Sequence, residues 1–88
     1  MKGRRLILND VITIENGTAG ASDGLLWCWF TGYTMQEAAV IFFEPENTRK
    51  IVFQYGEMED TYEGYTDCRV LSQDADGRIS VCMARGAD

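Results

Sequence analysis

Apolar residues along the chain come in short groups with changing rhythm, and the rhythm predicts a β-rich domain with one helix. Leu6-Ile7-Leu8 and Val11-Ile12-Thr13-Ile14 flank Asn9-Asp10. Asn and Asp tolerate the positive φ of a tight turn, so residues 5–15 read as a hairpin. Residues 16–24 form a glycine-rich loop, and Leu25-Leu26-Trp27-Cys28-Trp29-Phe30 is an unbroken apolar run of strand length. Such a run predicts a strand covered on both faces. Further on, Ile51, Phe53 and Tyr55 alternate with Lys50, Val52 and Gln54, a half-buried strand pattern. Gly56 to Asp60 reads as an acidic turn. Residues 62–72 read as one strand with Tyr62, Gly64, Thr66, Cys68 and Val70 on one face. Asp74 to Gly77 reads as a turn before a last strand with Ile79, Val81 and Met83 on one side.

One segment departs from this period. Thr34-Met35-Gln36-Glu37 matches a capping box, in which the Thr34 hydroxyl accepts from the Glu37 amide and the Glu37 carboxylate accepts from the Thr34 amide. Met35, Ala38, Ala39 and Phe42 then fall on one helical face. Pro45 disfavours helical geometry at Glu44, so the helix should end near Phe43.

The final hairpin can be registered from its apolar positions. A four-residue loop at 74–77 sets Gln73 opposite Arg78, Val70 opposite Val81 and Cys68 opposite Met83. Cys68 then points inward and Cys82 outward, so the two are not bonded. A one-residue slip would instead pair Leu71 with Val81. The order becomes β-β-β-α-β-β-β: an α+β domain over residues 1–88, mostly antiparallel hairpins with a short helix packed on the sheet.

Composition narrows the chemistry. The 88 residues suit one domain, and 45% apolar with a single proline argues for a packed chain. The formal charge of −6 disfavours phosphate backbones and anionic lipid, so direct nucleic-acid or membrane binding is not expected. There is no histidine, which removes Ser-His and Cys-His mechanisms. Three cysteines leave an odd thiol, and Leu6-Ile7-Leu8 is too short for a signal-peptide core, so a cytoplasmic, reduced protein is expected.

Several motifs resolve into plain structure. Asp74-x-Asp76-Gly77 begins like a calcium loop, but the twelfth position is Arg85 and not Glu. Gly17, Gly20 and Gly24 do not match a phosphate-binding fingerprint. The thiols lack metal-ligand spacing. Neither a cofactor nor a metal site is expected.

Two features are candidates for binding. The stretch 57–67 carries Glu57, Glu59, Asp60, Glu63 and Tyr65. It is either a solvated edge whose charges block aggregation or an acidic contact surface with an aromatic residue. Trp27 and Trp29 share one face of their strand. Core positions are the default for such rings, but an open face would make them an adhesive patch.

The segments Thr34-Met35-Gln36-Glu37-Ala38-Ala39, Phe43-Glu44-Pro45-Glu46, Ile51-Val52-Phe53-Gln54-Tyr55-Gly56, Tyr62-Glu63-Gly64-Tyr65-Thr66 and Ile79-Ser80-Val81 cover about half the chain. In these the sequence resembles small uncharacterised proteins of phage and prophage origin, sometimes encoded near tail or other structural genes. The resemblance carries no catalytic motif. It implies a non-enzymatic interaction or assembly module that binds another protein or itself. The alternative is an acidic inhibitor that mimics nucleic acid and occupies a basic protein.

Overall fold

The computed structural model describes residues 3–86. Eight strands and one α-helix are ordered β1 (Arg4–Leu8), β2 (Ile12–Glu15), β3 (Thr18–Ser22), β4 (Leu25–Phe30), α1 (Met35–Phe42), β5 (Lys50–Tyr55), β6 (Met58–Glu63), β7 (Asp67–Gln73) and β8 (Ile79–Ala84). They make two four-stranded antiparallel sheets. Sheet A runs β2-β1-β5-β6 and sheet B runs β3-β4-β8-β7. The α+β class with one short helix is as the sequence predicts. The order carries one more strand on each side of the helix.

Both extra strands lie where turns were expected. Within the glycine-rich stretch, Asp23 (φ 55°) and Gly24 (φ 80°) form a two-residue turn with both φ positive, and Ser22 lies opposite Leu25. That turn matches the strand twist and zips Thr18–Ser22 onto β4. In the acidic stretch only Gly56 and Glu57 turn. Tyr55 lies opposite Met58, and the acids continue as β6. The strand expected over 62–72 is broken at residues 64–66, where Gly64 takes φ 85°. The first hairpin turns over three residues, with Leu8 opposite Ile12 and Val11 79% exposed.

The core lies between the sheets. Leu6, Leu8, Ile14, Ile51 and Phe53 from sheet A meet Leu26, Cys28, Phe30, Ile79, Val81 and Met83 from sheet B. Helix α1 closes one end by inserting Ala38 and Phe42. Phe42 stacks on Phe30 with ring centroids 5.4 Å apart. The capping box forms as expected, with the Glu37 amide donating to Thr34 Oγ1 at 3.0 Å and the Thr34 amide donating to Glu37 Oε1 at 2.9 Å. A short 3-10 turn, Pro45–Thr48, follows. From it Asn47 Nδ2 donates to the Ile41 carbonyl at 3.0 Å, satisfying one of the acceptors a helix end leaves open.

The last hairpin corrects the expected register in part. Cys68 lies opposite Met83 as expected, and the three thiols are free. A bulge between Cys68 and Val70 then shifts everything after it. Val70 pairs with Cys82 and Leu71 with Val81, across a loop one residue longer than expected. The bulge leaves Arg69 exposed and bonded to Asp67 at 2.7 Å. It also keeps Leu71 against the core, so both ends of the strand satisfy their faces. The Asp74–Gly77 segment is a turn closed by Asp74 Oδ1, which accepts from the amides of Asp76 and Arg78.

Gly17 marks the corner where the chain passes from sheet A to sheet B. A methyl group there would lie 2.8 Å from Leu6 Cγ and 2.9 Å from Leu6 Cδ1, in the core. Gly17→Ala is expected to cost about 1–3 kcal/mol through overpacking. Gly20→Ala, which meets nothing within 4 Å, is expected to be neutral or stabilising by up to about 1 kcal/mol. Parallel urea titrations of the two variants check this. Equal losses would show that the corner yields freely.

Candidate functional site

The alternation of β4 sets its side chains on two faces. Leu26, Cys28 and Phe30 point into the core, while Leu25, Trp27 and Trp29 point outward and are half-buried. The indoles therefore belong to the outer face of sheet B, and the default expectation of core positions is corrected. Combining the registers across the sheet gives the composition of that face. One row reads Thr18, Trp29, Ser80, Ser72; the next reads Gly20, Trp27, Cys82, Val70; the third reads Ser22, Leu25, Ala84, Asp67. Small residues thus flank both indoles on β3 and β8, and they leave the rings standing above the sheet.

The two rings are parallel within 9°, with centroids 6.2 Å apart. Arg78, at the start of β8, sets its guanidinium 5.6 Å from the Trp29 ring centroid, a cation–π contact. Helix α1 inserts Ala38 and Phe42 into the opposite, core side of sheet B. Among the described residues no further element packs over the indole face. Cys82 lies in the Trp27 row and points outward as expected, yet it is only 3% exposed.

The acidic residues are distributed differently. Glu57, in the turn, and Glu59, Asp60 and Glu63, on β6 at one edge of sheet A, are all exposed. Glu59 and Glu63 share the outer face, where Gln54 Nε2 donates to Glu59 at 3.2 Å. Asp60 lies on the other face and accepts from the Tyr55 hydroxyl at 3.1 Å, a bond that raises the Tyr55 pKa above its ordinary value. None of the four joins an ion pair among the described residues. Tyr65 is not part of this surface. It is 7% exposed, packs edge-on against Tyr62 with centroids 6.4 Å apart, and lies beneath Arg85 at 4.9 Å. The structure thus separates the two candidate groups. The indoles lie on the outer face of sheet B and the acids on an edge of sheet A.

A groove of about 720 Å³ is lined by Gly3, Arg5, Gln54, Gly56, Glu57, Met58 and Glu59. Its polar groups satisfy one another in a row across sheet A. Arg5 faces Glu15 at 3.7 Å, and Gln54 donates to Glu59. It does not touch the glycine-rich stretch. The described residues contain no cluster of three or more potential metal ligands and no helix long and apolar enough to cross a membrane. Cys28 is fully buried opposite Ala19 and Val81, and burial pushes its thiol pKa up from 9.0 to about 12, which leaves it a small core hydrophobe and not a nucleophile. Comparison with protein-family models, curated proteins and solved structures returns no match.

Proposed function

We propose that this chain is a non-enzymatic interaction module that docks a protein partner on the outer face of sheet B, around Trp27 and Trp29. The observation that carries the reading is the pair of parallel, half-exposed indoles, flanked on β3 and β8 by the small side chains of Thr18, Gly20, Ser80 and Cys82. Tryptophan and arginine are enriched among the residues that dominate the binding energy of protein interfaces, tryptophan because it buries a large rigid surface at low entropic cost and arginine because its guanidinium supplies several hydrogen-bond donors. Arg78, resting on Trp29, adds the charge that orients such a contact. The resemblance to phage and prophage proteins supports a role in assembly within a mobile element. Three unpaired thiols support a reducing compartment, the cytoplasm.

A second reading takes the acidic edge as a nucleic-acid mimic that engages a basic protein. Glu59 and Glu63 sharing one face of a free edge strand support it. One experiment separates the two. The chain is titrated by calorimetry against the proteins encoded beside it. For the docking reading, Trp27→Ala and Trp29→Ala each weaken binding by about thirtyfold, the scale of an interface hot spot. Neutralising Glu57, Glu59, Asp60 and Glu63 together then leaves the affinity within about threefold, as for rim charges. Tryptophan variants that bind like wild type, with binding lost on neutralisation and on added salt, overturn docking on the indoles and favour the acidic edge.

A further inference from the structure

Two sandwiched sheets have four outer edges, and three of these carry features that discourage pairing with another strand. Strand β6 is lined with Glu59, Asp60 and Glu63, with Glu57 in the turn before it. Strand β7 is bent by the bulge after Cys68 and carries the Asp67–Arg69 ion pair. Strand β2 is only four residues long and ends at Glu15, ion-paired with Arg5. Charges, bulges and brevity are the devices by which sheets protect their edges. Strand β3 has none of them. Its five residues, Thr18-Ala19-Gly20-Ala21-Ser22, include no charge, no proline and no bulge, in a chain of net charge −6.

The main chain of β3 can be divided by direction. In a hairpin with a two-residue turn, the residues flanking the turn exchange both hydrogen bonds, and alternate pairs follow suit. Ser22, Gly20 and Thr18 therefore bond to Leu25, Trp27 and Trp29, and the amides and carbonyls of Ala19 and Ala21 point away from β4. No backbone hydrogen bond from another element reaches either residue among the described ones.

We propose that this edge pairs antiparallel with β3 of a second copy of the chain, about a two-fold axis at Gly20. The strand is chemically symmetric about that residue. In the pair, Gly20 meets Gly20, Ala19 meets Ala21, and Thr18 meets Ser22. The outward amides and carbonyls of Ala19 and Ala21 then bond each other, while Gly20 falls at a non-hydrogen-bonded site, as its role in the β4 pairing requires. An isologous interface needs this self-complementarity. A neutral edge also brings two acidic chains together without like charges facing each other. The two-fold axis runs perpendicular to the sheet, so both indole faces lie on the same side of one eight-stranded sheet. The Trp27 rows of the two copies are separated only by the paired glycines, roughly 14 Å strand to strand across three strand spacings. The inference goes beyond the docking reading and does not depend on it.

Disulfide trapping tests the register. In a Cys68→Ser background, Gly20→Cys places two thiols at a non-hydrogen-bonded pair, where Cα atoms approach to about 4.5 Å, within disulfide range. Ser22→Cys places them roughly 13 Å apart, four residues along the strands. Under glutathione buffer at micromolar protein, G20C should form a covalent dimer at least about tenfold faster than S22C, since only its geometry suits the bond. In sedimentation of the otherwise unmodified chain, a concentration-dependent dimer should disappear in Ala21→Pro. Proline there removes only the outward amide, so the thermal melt should hold. Equal trapping of G20C and S22C, or a monomer at all concentrations, overturns the pairing. A dimer that persists in Ala21→Pro does the same. Tryptophan variants that bind a partner like wild type, in a chain that still traps at Gly20, would leave this inference standing while the docking reading falls.

Discussion

Phe42→Ala is expected to cost about 3–5 kcal/mol of folding stability, and Phe43→Ala, one residue later, under about 1 kcal/mol. The side chains are identical, so the contrast isolates position. Phe42 has no solvent exposure and stacks on Phe30, which in turn meets Tyr33 edge-on with centroids 5.4 Å apart. Its removal leaves a cavity between the helix and the end of the sandwich. The surrounding strands are tied by hydrogen bonds and cannot collapse into the space. Phe43 is the helix C-cap and is 59% exposed. A domain of this size has a total stability of about 4–13 kcal/mol, so the Phe42 variant loses a large fraction of it. Urea titration at constant slope checks the pair. Equal midpoints for the two variants would mean that helix α1 is not mechanically part of the core.

The second large effect is alkaline. Cys28 is held protonated in the folded chain to about pH 12 by desolvation, with the nearby Cys68 thiol adding to it, whereas the unfolded thiol ionises near 9.0. Below pH 9 both states keep the proton and nothing depends on pH. Between about 9 and 12 the unfolded state releases a proton that the folded state retains. Stability therefore falls as pH rises, by roughly 1.4 kcal/mol per pH unit. By pH 11 the loss from this group alone is on the order of 2–3 kcal/mol. Cys68 and Tyr62, both raised chiefly by burial, lose stability in the same direction. Urea midpoints at pH 8, 9.5 and 11 measure the slope. In Cys28→Ala the chain starts less stable but should lose the Cys28 share of the slope. A slope unchanged by that substitution would assign the alkaline loss to other groups.

Local signals made parts of this fold legible from sequence. Helix α1 was readable because Thr34, Glu37 and Pro45 act over a few bonds and nothing distant competes with them. The strandedness of Leu25–Phe30 was equally clear, but its sidedness was not. When the outward residues are Leu25, Trp27 and Trp29, alternation disappears, and an open apolar face looks the same as a covered one. Strand β3 was hidden by its composition, since glycine and alanine favour strands weakly. The Asp23-Gly24 dipeptide between Ser22 and Leu25 was the available signal, being a strong marker of a two-residue hairpin. The bulge at Arg69 had no such marker. It arises from a conflict between an arginine that must reach solvent and a Leu71 that must reach the core, and only the assembled sheet resolves it. The exposure of the β6 acids follows from their charge, whereas proximity in sequence misplaces Tyr65 with them. The break at Gly64 turns it inward.

The strand order of sheet B also sets a timetable. Strand β4 ends at Phe30, and its central neighbour β8 does not begin until Ile79. At ribosomal speeds of about 5–20 residues per second, the roughly fifty residues between them take some 3–10 seconds to emerge. Throughout that interval β4 has only β3 beside it in sheet B, and the edge that β8 will take stays unpaired. The strand that carries both indoles is made early and gains its second neighbour last.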